Sequence, residues 1–200
     1  MVRLNPKAVV MDLAKGYHKY VAEIYPHAIR IAVRFPVNRY ATDALQKLRI
    51  RVSQTLKPEN SKFLKRNKNL LCRRSDQLSK AESQLLMKVL SFSEELKRVY
   101  DLKEQLISWY DLSIQKQAHG SLLKWIQSGR ELQNPELNHV LKTFENWSTE
   151  ISNYHHCCYT NAAVEGRNNK IKSLQRRCFF LRKWQSYKNR IYHDCNKEFW

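Results

Sequence analysis

Glycine and proline are scarce, four and five in 200 residues, which excludes a turn-rich sandwich or barrel and a collagen-like chain. No stretch approaches the ~20 apolar residues that a membrane-spanning helix needs. The opening MVRLNPKAVVMD has neither an uninterrupted apolar region nor a small-residue cleavage site, so no secretory signal is expected. Phosphate loops of the GxxxxGK[ST] type and GxSxG elbows are missing. Five cysteines, an odd number without CxxC spacing, predict reduced thiols in a cytoplasmic protein. Acid is also in short supply. Thirty-six Lys and Arg face eighteen Asp and Glu, a net charge of +18. A surplus of that size points to a polyanionic partner, nucleic acid before an anionic membrane surface.

What is present suffices for a core: 42% of the residues are hydrophobic, in a length that suits one domain or one domain with an insertion. Ala8-Val9-Val10-Met11 is a short apolar run ending in Asp12, the size of a buried strand. Ala14, Tyr17, Val21 and Ile24 then recur at helical spacing until Pro26. Ala28 to Phe35, AIRIAVRF, is β-branched and partly alternating and reads as a second strand. Strand, helix, strand predicts a βαβ unit with parallel strands. Parallel strands are normally buried in larger sheets. Nothing later in the chain reads as strand, so the edges of this unit are expected to await partners lying upstream of Met1.

From Val37 onward the pattern is helical. Val37, Ala41, Ala44, Leu48 and Val52 form one stripe; Leu85, Val89, Phe92, Leu96 and Val99 a second; Leu102, Leu106 and Trp109 a third. Leu137, Val140, Phe144, Trp147 and Ile151 share one helix face, and all four stripes read as core. Gln133-Asn134-Pro135 predicts a loop. The fold class expected is mainly α with a small βαβ unit.

Basic charge gathers twice. Lys62, Lys65, Arg66, Lys68, Arg73 and Arg74 stand together without an acid, and a solvated face explains them as well as a partner does. Residues 161–193 carry Arg167, Lys170, Lys172, Arg176, Arg177, Arg182, Lys183, Lys188 and Arg190 against the single acid Glu165. Aromatic Phe179, Phe180, Trp184, Tyr187 and Tyr192 interleave with them. Read as a helix, 160–177 places Glu165, Asn169, Lys172 and Arg176 on one polar face and Val164, Ile171, Leu174 and Cys178 on another, docked on the core. A lone carboxylate on a cationic helix suits a hard-oxygen metal ligand beside a phosphate backbone, although an ordinary solvated Glu fits the composition too. His155-His156-Cys157-Cys158 contains zinc-ligand types, but adjacent pairs do not converge easily on one ion, and no second pair stands at finger spacing. That run reads as structural.

Thr160-Asn161, Val164-Glu165-Gly166, Asn168-Asn169-Lys170-Ile171-Lys172, Arg176 and Arg190-Ile191 together resemble the C-terminal signature of DDE-type insertion-sequence transposases of the ISL3 family. Met11-Asp12, Tyr17, Tyr25-Pro26-His27-Ala28 and the run Phe144, Trp147, Glu150, Ile151 resemble the same family. The resemblance implies an RNase H-like core in three parts. These are a partial βαβ unit over 1–40, an all-helical insertion over 41–157, and basic helices over 158–200 that complete the core. It also implies DNA strand cleavage and transfer with Mg²⁺ or Mn²⁺, held by three carboxylates. Asp12 would be the second and Glu165 the third; the first would lie before Met1, making this chain a truncated copy, inactive alone. The family's D-[RK]-F-H reads here Val33-Arg34-Phe35-Pro36, a departure that leaves the strand-terminal Asp12 as the ligand. Arg167, Asn169, Lys170, Lys172, Arg176, Arg177, Arg182 and Lys183 would contact double-stranded DNA at transposon ends. Self-association, or association with full-length transposase, is the further partner the resemblance suggests. The alternative is a basic helical DNA-binding protein without catalysis.

Overall fold

The apolar run at the start of the chain forms strand β1, Ala8–Met11. Helix α1, Lys15–Ile24, leads from it to strand β2, Ile29–Ala32. The two strands pair in parallel, Ala8 opposite Ile29 through Met11 opposite Ala32, as the βαβ pattern predicts. The computed structural model describes residues 5–159, 162–177 and 183–195. It divides into two units, Met1–Tyr159 and Thr160–Trp200.

β2 is shorter than AIRIAVRF suggested. The Val33 N–H is the last donor to β1, to the Met11 carbonyl at 3.1 Å, and Val33 then caps helix α2, Arg34–Thr55. Pro36 lies in the first turn of α2, where its missing N–H leaves no helical bond unmade, so the helix can begin before Val37. The ladder alternates: the Ile29 N–H donates to Lys7 O at 3.0 Å and Val33 to Met11. Arg30 therefore turns its backbone outward, and its carbonyl accepts from Asn153 Nδ2 at 2.9 Å.

The rest of this unit is helical. α3 is Pro58–Arg66, α4 Lys80–Leu90, α5 Glu94–Leu112 and α6 Gln115–Glu131. α7 is Asn138–Asn146, α8 Ser148–Ser152 and α9 Tyr154–Cys157. Val37, Ala41, Ala44, Leu48 and Val52 are all buried along α2, against α5. Each such side chain withdraws enough apolar surface from water to contribute about 1.5–3 kcal/mol. The aromatic stripes are core: Phe144 is fully buried and stacks on Trp125 at 5.2 Å. The indole N–H groups find backbone acceptors, Trp109 on Ala118 O and Trp125 on Leu102 O.

Two stripes expected to be continuous are broken. Leu85 to Val99 spans α4 and α5, because Ser93 ends the first run and caps the second, its hydroxyl accepting from the Leu96 N–H at 3.2 Å. Leu85 itself is exposed. Leu137 to Ile151 runs through a 3-10 turn, Pro135–Leu137, and then α7 and α8; all five named side chains remain buried. On α1 only Val21 is buried, while Tyr17 and Ile24 are exposed. The Gln133-Asn134-Pro135 loop is present: Gln133 takes φ +49° and Asn134 Oδ1 accepts from the Glu136 N–H.

In the second unit α10, Ala162–Arg177, packs on α11, Trp184–Cys195. Leu174 is buried and Ile171 half-buried, but Val164, expected on the docked face, is exposed. With 12 residues against 16, α11 is about one turn too short to cover the start of α10.

Candidate nucleic-acid and metal site

Asp12 follows the last residue of β1. Buried Met11 anchors the strand end, and the Asp12 carbonyl accepts from the Ala14 N–H at 2.8 Å. The cap of α1 is Ala14, with no side-chain hydrogen bond, so Asp12 is not spent as a helix cap. The residue is exposed, and its carboxylate has no hydrogen bond or ion pair among the described residues.

Glu165 lies in the first turn of α10, where the helix dipole favours negative charge, and it too is exposed without a partner among the described residues. The structure places Arg167, Asn169, Lys170, Lys172, Arg176 and Arg177 on the same helix, all exposed, with Lys183 exposed just before α11. Arg182, and Phe179 and Phe180 beside it, lie outside the described residues. α11 adds exposed Lys188 and Arg190, with Arg190 Nε 3.5 Å from Asp194. Trp184 is 70% and Tyr192 57% exposed, and Lys188 lies over the Tyr192 ring at 5.8 Å. Exposed rings that the core does not use, set among guanidinium and ammonium groups, can stack on bases while the cations meet phosphates. The hairpin therefore groups Glu165 with the predicted cations. Asp12 belongs to the first unit.

The earlier basic cluster divides. Arg73 pairs with Glu82, and Arg74 with Asp76 and Asp111 at 2.7 and 2.8 Å, so these charges are matched within the chain. Lys62, Lys65, Arg66 and Lys68 are exposed.

The His-Cys run shows why its side chains part. His155 sits edge-on to the Trp109 ring at 4.5 Å, with its Nε2 buried and unpartnered; burial holds its pKa below the usual histidine value. His156 instead meets Gln115 through Nδ1, and Cys158 takes the left-handed conformation that ends α9. Among the described residues, no group of three His, Cys, Asp or Glu is placed to hold a metal ion.

Three polar clusters escaped the sequence reading. Glu150, 7% exposed, accepts from His18 Nε2 at 2.9 Å and lies 3.9 Å from Arg30 Nε, tying α1, β2 and α8 together. Buried Lys103 donates to the Arg73 carbonyl at 2.8 Å and pairs with Glu104; desolvation lowers its pKa. Arg51 bridges Glu95 and Glu136 at 2.7 Å each, and its hydrogen bond holds the Glu136 carboxyl below the usual range. Partners 132, 120 and 85 positions apart leave no local pattern to find, and only Glu150 carried a signal, as part of the resemblance.

A family model described as Transposase, of the ISL3 type, matches residues 3–191. No curated protein and no solved structure matches the chain.

Proposed function

The chain belongs to the ISL3-type transposase family, whose role is DNA transposition, and from that premise we propose that α10 and α11 form its duplex-binding face. The observation that carries this reading is the exposed cationic hairpin with Trp184 and Tyr192 unburied beside it. Arg167, Lys170, Lys172, Arg176, Arg177, Arg182 and Lys183 neutralise phosphates, and Asn169 offers an amide to the same backbone.

Asp12 and Glu165 are proposed as two of the carboxylates that hold Mg²⁺ or Mn²⁺. Both are hard oxygen donors, exposed and free of partners among the described residues, which suits such an ion. When bound, the ion would activate an attacking oxygen and stabilise the leaving one during strand cleavage and joining. The proposed organisation is an RNase H-like unit over 1–40, a helical insertion over 41–157 and the closing basic helices over 158–200. Two assigned carboxylates do not complete the family's set of three, so the chain by itself is proposed to bind DNA without joining strands.

Fluorescence anisotropy with two short duplexes of unrelated sequence tests the binding face. The chain is expected to bind both alike, and Arg176→Ala with Arg177→Ala and Lys183→Ala to weaken both alike. Unchanged affinity in that triple variant would remove the hairpin from the interface.

A further inference from the structure

The sheet is closed on one side and open on the other. On β2, Asn153 Nδ2 satisfies the outward Arg30 carbonyl. On β1, the bonds to Lys7 O and Met11 O fix which residues face β2, so Ala8 and Val10 point their N–H and C=O groups outward. No hydrogen bond meets those backbone groups among the described residues. They recur every second residue, about 6.6 Å apart, which is the repeat of a strand's own hydrogen-bonding groups. Ala8, Val9 and Val10 are only half-buried, whereas Ile31 and Ala32 on β2 are fully buried. Tyr17 and Tyr20 of α1, the helix that packs on β1, are 59% and 58% exposed and line an apolar hollow with Ala14 and Gly16. An apolar strand with a bare edge is a template for another strand, and native proteins usually blunt such an edge with a charge, a proline or a cover. β1 has none of these along Ala8–Met11.

We propose that the free edge of β1 docks one extended strand of another polypeptide, apolar at alternate positions, through backbone hydrogen bonds at Ala8 and Val10. A second copy of the chain is a poor occupant, because each copy carries +18 and the two repel. The occupant is therefore a strand without excess positive charge. This inference stands apart from the metal reading of Asp12, and its test does not involve DNA or metal.

The probe is a labelled synthetic peptide of about eight residues alternating valine with threonine and glutamate, a length that matches strand addition. Titrated into the full chain, it is expected to bind saturably and to slow hydrogen exchange at the Ala8 and Val10 amides, with Ile29 and Val33 unchanged. Val10→Pro removes one outward N–H that no residue of this chain uses, and is expected to weaken binding about tenfold, the worth of one backbone hydrogen bond. The same peptide N-methylated at alternate residues, so that it cannot donate, is expected not to bind; this arm decides even where Val10→Pro fails to fold. Absence of saturable binding, or equal binding by the proline variant and the N-methylated peptide, would overturn the proposal. So would a concentration-dependent dimer of the free chain with Val10 already protected, which would make a second copy the occupant.

Discussion

At the scale of single residues, the charges that matter most to folding are the few that are buried. Glu150 is held by His18 and Arg30, and removing one member leaves the others desolvated without a counter-charge. Glu150→Ala is accordingly expected to destabilise by about 3–5 kcal/mol in urea denaturation, and Glu150→Gln, which keeps an acceptor for His18, by less. A loss below about 1 kcal/mol in the alanine variant, the range of exposed pairs, would show that the cluster is solvated. His155 gives a pH signature of definite sign. Burial lowers its folded pKa below the unfolded value near 6.5, so the unfolded state takes up the proton first as pH falls. Stability is then full above that value and declines as the pH drops below it. In His155→Phe, denaturation followed between about pH 7 and pH 5 should show a shallower decline than the parent.

The secondary-structure elements show what local sequence encodes and what it does not. β1, the parallel pairing, the α2 stripe and helix 162–177 were legible, because each depends on a period read within a few residues. The overrun of β2 came from Val33 and Phe35, which continue the β-branched and aromatic pattern although Pro36 already belongs to a helix. The breaks at Ser93 and near Pro135 and Trp147 passed unseen, since a hydrophobic stripe continues across a kink when both helices face one core. Capping chemistry at Ser93 was the local sign of the first break. Ser93→Ala is expected to cost about 1 kcal/mol, measured by urea denaturation, and Ser93→Gly only a few tenths. Equal loss in both variants would point to another role for the hydroxyl. The site followed the same division. Asp12 and Glu165 could be named from strand-end and helix-face positions, whereas the Glu150 cluster depends on contacts more than a hundred residues apart in sequence.

For the whole molecule, the imbalance of charge is organised rather than spread evenly. Acids in the first unit are drawn into pairs with Arg34, Arg51, Arg74 and Arg130, while the hairpin of α10 and α11 keeps its cations at the surface. Duplex affinity carried by that surface is expected to survive EDTA, since it needs no metal. Strand joining by the chain alone is not expected with Mg²⁺ or Mn²⁺, because two carboxylates leave the metal site short of a ligand. A gel assay with labelled duplex reads this directly, and Asp12-dependent joining by the purified chain would refute it.

The dependence of duplex affinity on salt tests the central claim most directly, because each phosphate neutralised by a Lys or Arg releases counterions. Plotted as log affinity against log salt, the parent chain should give a steep negative slope. Arg176→Ala, Arg177→Ala and Lys183→Ala combined should make it shallower by about one unit for each phosphate no longer neutralised. A slope that stays unchanged in this variant would contradict the account, because the hairpin would then be only solvated surface.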